Sequence, residues 1–258
     1  MRARLVASGI ENGVATVTLD RPERHNALIP ELLEDLRSAI SNAASGDVFA
    51  LVLTGAGRSF STGGDIAAFG EAQNKPGGIG AYAERIVGLL NGAILDLLDF
   101  PAPVLARVNG PVTGGSVGLV LASDIVLMSE TAFLQSYYVE VGFAPDGGWT
   151  AMLPERIGAA RAVAVQALNR RIEAREALGL GLATEVVAPD ALDAAVSRTV
   201  GTLRTKERKS LTAARRLVWD AARRAAVAAR LEAEREAFRA LVGRLEVAER
   251  MKAFVEKR

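Results

Sequence analysis

The sequence predicts an α/β fold completed by a helical C-terminal subdomain, and three observations carry that prediction. Short apolar runs alternate with segments of helical periodicity over residues 1–190, with two strands to a helix recurring, which suggests repeating ββα units. From Glu207 to Arg258 the composition turns to Ala, Arg, Glu and Leu at helical spacing, so the chain divides into a core over 1–190 and a helical subdomain over 191–258. Two glycine-rich stretches, Gly55–Gly64 and Asn109–Gly118, each follow a run that reads as a buried strand.

The elements follow in order. Arg4–Ser8 and Val14–Asp20 alternate apolar and polar residues around Glu11-Asn12-Gly13, a β-hairpin pattern. After the loop RPERHNAL, Leu32, Leu33, Leu36 and Ile40 recur at helical spacing behind Pro30, whose missing N–H costs nothing in a first turn. Val48–Thr54 is a continuous apolar run, hence a strand covered on both faces. Gln73–Gly80 is polar and rich in Gly and Pro, a surface loop and candidate lid, and Ala81–Phe100 is a helix ended by Pro101 and Pro103. Strands are expected at Ala102–Val108 and Ile125–Met128, with an extended segment at Ala132–Tyr138. Pro145-Asp146-Gly147-Gly148 is a turn leading into a helical region at Trp149–Arg156. Helices at Ala159–Leu168 and Ile172–Leu178 and a strand at Thr184–Val187 complete the core, and a helix from Asp190 to about Arg204 follows.

Composition excludes several kinds of chemistry. The 258 residues carry a net charge of +1, so there is no electrostatic footprint for nucleic acid. No apolar run reaches the roughly 18 residues of a membrane span, and the N-terminus lacks a signal-peptide core, which leads us to expect a cytoplasmic protein. There is no cysteine and a single histidine, His25, so disulfides, thiol nucleophiles, cysteine-based zinc sites and a His-x-x-x-His metal helix are ruled out. We expect no metal and no cofactor. The chemistry must run on carboxylates, hydroxyls, amines and backbone dipoles.

Gly114-Gly115-Ser116-Val117-Gly118 fits the G-x-S-x-G nucleophile elbow, but the required histidine would have to follow the serine, and His25 precedes it. Gly55-Ala56-Gly57 begins like a dinucleotide fingerprint, yet Phe60 stands where its third glycine belongs. The two glycine loops make more sense together. Each ends a strand, and each is able to aim a backbone N–H at a common point, forming an oxyanion hole.

RPERHNAL (Arg21–Leu28), SFSTGGDI (Ser59–Ile66), NGPVTGGSVGLVLASDI (Asn109–Ile125) and VGFAPDGGW (Val141–Trp149) together resemble the successive signatures of the crotonase, or enoyl-CoA hydratase/isomerase, superfamily. The resemblance implies a spiral of ββα units, a C-terminal subdomain that builds trimers or dimers of trimers, and a coenzyme A thioester as substrate rather than cofactor. It implies oxyanion-hole amides at Gly64 and Gly115. It places Arg24, Ala27, Asp65, Ile66, Tyr138 and Trp149 around the substrate, and matches Phe254 and Lys257 to a C-terminal pair that reaches CoA.

The departures from the family pattern point to the reaction. Hydratases of the family carry two glutamates, and the corresponding positions here are Gly118 and Tyr138. Glu140 is a substitute if the alignment slips, since in an extended segment it would share the face of Tyr138. Tyr138 is expected either to line the acyl pocket or to orient substrate. Asp146 remains as the one carboxylate at a family catalytic position, with a proton affinity raised by apolar neighbours such as Phe143 and Trp149. This pattern resembles the family's single-aspartate isomerases of fatty or aromatic acid catabolism, which shift a β,γ double bond to α,β through a dienolate. The alternatives are a hydratase with a displaced acid/base, a hydrolase or dehalogenase with Asp146 as nucleophile, and a non-catalytic acyl-CoA binder.

Overall fold

The computed structural model describes residues 3–256. Strands β1 (Val6–Glu11) and β2 (Val14–Leu19) form the expected hairpin, with Asn12 and Gly13 both at positive φ as a two-residue turn requires. Helix α1 (Pro30–Ala44) turns Leu32, Leu33, Leu36 and Ile40 inward against the hairpin. Strand β3 (Ala50–Gly55) follows, then α2 (Ile66–Ala72), α3 (Gly78–Leu98), β4 (Val104–Val108), the two-residue β5 (Val112–Thr113) and α4 (Val117–Leu121). Next come β6 (Ile125–Ser129), β7 (Phe133–Gln135), the single-turn α5 (Tyr138–Val141), α6 (Leu153–Ile157), α7 (Ala159–Ala167) and β8 (Ile172–Glu173). The chain ends with α8 (Ala174–Gly179), β9 (Glu185–Val187), α9 (Leu192–Arg204), α10 (Arg208–Val218), α11 (Ala221–Val242) and α12 (Leu245–Glu256).

Six strands make the main sheet in the order β1-β2-β3-β4-β6-β9, parallel throughout except for the β1–β2 hairpin. A second, three-stranded sheet pairs β5 with β7 in parallel and β7 with β8 antiparallel. Strand alternation explains why β3 is apolar at successive positions. Leu51 and Leu53 join the large core beneath the helices, whereas Ala50 and Val52 join a smaller cluster on the opposite face with Leu105, Leu127 and the α9 residues Leu192 and Ala195. Helix α3 lies between α1 and α11, so the C-terminal helices contribute Val227, Leu231 and Phe238 to the large core. Among the described residues, no helix is long and apolar enough to cross a membrane.

Three local expectations change. The polar stretch at 73–80 is shorter as a loop, because α3 begins at Gly78 rather than Ala81. The first two residues of the helix expected at Ile172–Leu178 are instead β8, paired with Leu134 and Phe133. The extended segment expected to reach Tyr138 stops at Gln135. There the chain passes through Tyr137 at φ 63° into α5. In this turn Glu140 no longer shares the face of Tyr138; it is exposed while Tyr138 is buried, which removes it as a stand-in for the missing glutamate.

Candidate active site

The site forms where three glycine turns interlock. The first is pinned by Asn26, whose side-chain amide donates to the carbonyls of Ala56, Ser59 and Phe60 at 2.9–3.1 Å. It is also stitched on both sides, Gly64 bridging Leu28 and Ser61 bridging Val112. In the Leu28 bridge the bonds run from Leu28 N–H to Gly63 O and from Asp65 N–H to Leu28 O, so the ladder does not use the Gly64 N–H. The second turn enters α4 through a short 3-10 turn, Gly114–Ser116, and Gly115 lies among the first N–H groups, which have no intrahelical acceptor.

The two turns touch directly. A Cβ on Gly63, at φ +75°, would lie 2.5 Å from Thr113 O and 3.1 Å from Gly114 Cα, so only glycine permits the approach. The third turn, Pro145–Gly148, packs on the second: a Cβ on Gly147 would stand 2.2 Å from Gly115 O. Asp146 thereby comes against Gly115, whose ideal Cβ position is 2.8 Å from Asp146 Oδ1. At Gly118 a Cβ would meet Gly147 O and the Ile94 side chain, each at 2.4 Å. A side chain at position 118, where the resemblance expects a glutamate in hydratases, would therefore force the Gly147 backbone to move.

A cavity of about 330 Å³ opens beside these turns. Gly64, Gly115, Asp146 and Tyr138 line it, and its apolar wall includes Phe69, Leu90, Phe143 and Phe238. Three of those rings form a cluster, with centroids 4.7–5.9 Å apart. Arg24, Ala27 and Ile66 also line the cavity, as does Phe254 from α12, whose ring lies 5.7 Å from that of Tyr137. Lys257 falls outside the described residues.

Several expected substrate contacts have other partners here. Trp149 is fully buried and does not line the cavity; its Nε1–H donates to Gly114 O at 2.8 Å, holding the second glycine turn from behind. The Asp65 carboxylate binds Arg21 at 2.8 Å and Arg24 at 3.0 Å and caps α2 through the Ala68 N–H. Burial works against the Asp65 charge, but the bonds from Arg24 and Arg21 outweigh it and hold the carboxyl below its ordinary range. Ser116, the apparent elbow serine, is buried outside the cavity with its hydroxyl on the carbonyls of Ser61 and Thr113, so it is no nucleophile.

Asp146 is 7% exposed. Desolvation pushes its carboxyl up to about 7; the bond from Tyr138 opposes the shift and the charge of Glu234 adds to it. The Tyr138 hydroxyl donates to Asp146 Oδ1 and reaches the Asp146 carbonyl. Burial and the neighbouring carboxylate drive the tyrosine itself well above its ordinary value, so it remains a donor at all working pH. Tyr138 is both wall and polar partner. The site combines the backbone N–H groups of Gly64 and Gly115, a buried carboxyl poised near neutrality and an apolar enclosure, an arrangement suited to moving a proton beside a carbonyl whose oxygen becomes negative. Among the described residues, no group of three or more His, Asp or Glu side chains is placed to hold a metal.

Two residues of the site escaped the sequence reading. Asn26 sits in a loop motif whose pinning role depends on contacts about 30 residues away. Glu234 occupies the buried stripe of α11 with Val227, Leu231, Phe238 and Val242, and an acid on such a stripe is a visible signal.

Comparison with known proteins agrees with this architecture. The family model described as enoyl-CoA hydratase/isomerase matches residues 9–258. A probable enoyl-CoA hydratase of Rhodobacter capsulatus is 37% identical over 182 residues, 70% of this chain and 67% of that protein. A trans-2-decenoyl-[acyl-carrier-protein] isomerase of Streptococcus mutans is 32% identical over 212 residues, 81% of this chain and 80% of that one. The crystal structure of an enoyl-CoA hydratase from Bacillus halodurans superposes with a TM-score of 0.89 at 25% identity, covering 96% of this chain and 99% of its own. With its interlocked glycine turns, its helical C-terminal part and a match over nearly its whole length, the chain belongs to the enoyl-CoA hydratase/isomerase family, of the crotonase superfamily.

Proposed function

We propose that the protein is an acyl-CoA isomerase that shifts a β,γ double bond to α,β. The Asp146 carboxylate removes a proton from Cα, and the electron pair of that C–H bond delocalises through the thioester carbonyl and the double bond. The negative oxygen is held by the N–H groups of Gly64 and Gly115, and the dienolate collapses as the Asp146 carboxyl returns a proton to Cγ. Nothing is gained or lost overall, and a single carboxyl performs both transfers. Arg24, Ala27, Ile66 and Phe254 are the residues we assign to the CoA portion of the thioester, with Asp65 orienting the Arg24 guanidinium. The reading extends to a homotrimer or dimer of trimers, supported by the exposed apolar side chains of Val139 on α5, Val163 on the neighbouring α7 and Leu168 just after α7.

The observation that supports this reaction over hydration is the solitary placement of Asp146 against Gly115. Gly118 leaves no space for an acid, Tyr138 fills the other acid position, and Glu140 faces outward. The names of relatives run both ways, so the reaction is decided by assay. Purified protein is given a β,γ-enoyl-CoA and, separately, an α,β-enoyl-CoA. Isomerisation that exceeds hydration and falls by about 10²-fold or more in Asp146→Asn is expected. Hydration as the dominant activity, or isomerisation undiminished in Asp146→Asn, would overturn the proposal.

A further inference from the structure

We propose that Glu234 is a positioning residue of this site, clamping the turn that carries Asp146 and setting a second negative charge behind it. Glu234 is 4% exposed, and its carboxylate accepts four hydrogen bonds from one short segment. Oε2 accepts from Gly148 N–H at 2.8 Å; Oε1 accepts from Thr150 N–H and the Thr150 hydroxyl, both at 2.7 Å, and from Ala151 N–H at 2.9 Å.

The segment needs such a clamp. Gly147 and Gly148 both stand at positive φ, and the stretch from Gly148 to the start of α6 leaves N–H groups outside any regular ladder. A buried N–H without an acceptor costs about 1–3 kcal/mol, so one carboxylate that accepts from three of them fixes the course of the chain. That course matters because Asp146 lies just before the clamped amides and touches Gly115. A displacement of about 1 Å at a reacting group costs on the order of 10²-fold in rate.

The clamp is also electrical. The titratable groups facing Asp146 are Tyr138 from α5 and Glu234 from α11; Leu90 from α3 and the glycine turns bring none. Around Glu234 itself, Arg230 on α11 reaches Ala151 O at 3.4 Å but forms its ion pair with Glu155, and Arg235 pairs with Glu84 and Glu232. Among the described residues no cation pairs with Glu234, and its charge acts on Asp146. In a medium of low effective dielectric that charge opposes ionisation of Asp146.

This inference rests on Asp146 as the proton carrier, and its electrical part is tested at Asp146 without turnover. The protein is labelled with ¹³C at aspartate carboxyls, and the Asp146 signal is identified by its absence from Asp146→Asn. In Glu234→Gln the Asp146 titration midpoint is expected to fall by at least about half a unit. In Thr150→Val, which deletes one bond and leaves the charge, the midpoint is expected to stay raised, while isomerisation kcat falls severalfold and KM changes by less than about twofold. An unmoved midpoint in Glu234→Gln would overturn the electrical role. Unchanged kcat in Thr150→Val would overturn the clamp, and this second result decides the clamp if Glu234→Gln fails to fold. A shifted midpoint in a protein that does not isomerise would sink the proposed reaction and leave the placement of Glu234 standing.

Discussion

Asp146→Asn is expected to make the protein more stable and less active at once. The wild-type carboxyl has an ordinary value of 3.8 and is pushed to about 7 in the fold, so the folded state holds a proton that the unfolded state releases. Ionising Asp146 in the fold therefore costs nothing below about pH 4, costs progressively more as pH rises, and reaches its full cost above about 7. Three units at about 1.4 kcal/mol each set a ceiling of about 4 kcal/mol. Asparagine removes that cost but presents a weaker acceptor to the Tyr138 hydroxyl, a loss of about 1 kcal/mol. The variant should be about 2–3 kcal/mol more stable than wild type at pH 8, with the difference shrinking toward zero or below near pH 4. Urea unfolding of both proteins at a series of pH values measures it. A stability difference independent of pH, or a variant less stable at pH 8, would refute the description of Asp146 as a buried acid held against its charge.

Three further substitutions separate the parts of the site. Tyr138→Phe deletes the donor that favours the ionised carboxylate, so the midpoint of Asp146 should rise and isomerisation at pH 7 should fall, with partial recovery at higher pH in a rate profile. Gly118→Ala should destabilise the fold by about 1–3 kcal/mol in urea unfolding, because its Cβ enters the space of Gly147 O and Ile94, and adding a glutamate there should not create a hydratase. Asp65→Asn should raise KM for the CoA thioester more than it lowers kcat in steady-state assays, since it releases Arg24 and leaves the partly buried Arg21 without its carboxylate.

Much of this was legible in the chain because glycine and strand patterns obey local rules. The hairpin turn at Asn12-Gly13 requires positive φ at both residues, and the two faces of β3 are visible as an uninterrupted apolar run. The choice of Gly64, Gly115 and Asp146 came from the family resemblance, and the three line one cavity because the glycines of their turns let the backbones touch. What was not legible depends on partners distant in sequence. The family resemblance placed Trp149 at the substrate, but its indole N–H is claimed by Gly114 O. Tyr138 was expected to end an extended segment, whereas Tyr137 at positive φ, its N–H bound to the Asn169 side chain at 2.9 Å, turns the chain into α5. That turn brings the Tyr138 hydroxyl to Asp146 and sends Glu140 outward. Glu234 lies 88 positions beyond Asp146, on a helix whose docking only the tertiary structure fixes.

The pH dependence of kcat/KM for isomerisation of a β,γ-enoyl-CoA tests the central claim most directly. As the base, Asp146 must be ionised in the free enzyme, so the rate should rise with pH, level off above a midpoint near 7, and show no second limb from Tyr138 at alkaline pH up to 9. A profile that is flat from pH 5 to 9, or that falls through neutrality, would contradict the assignment of the proton transfer to this buried carboxyl.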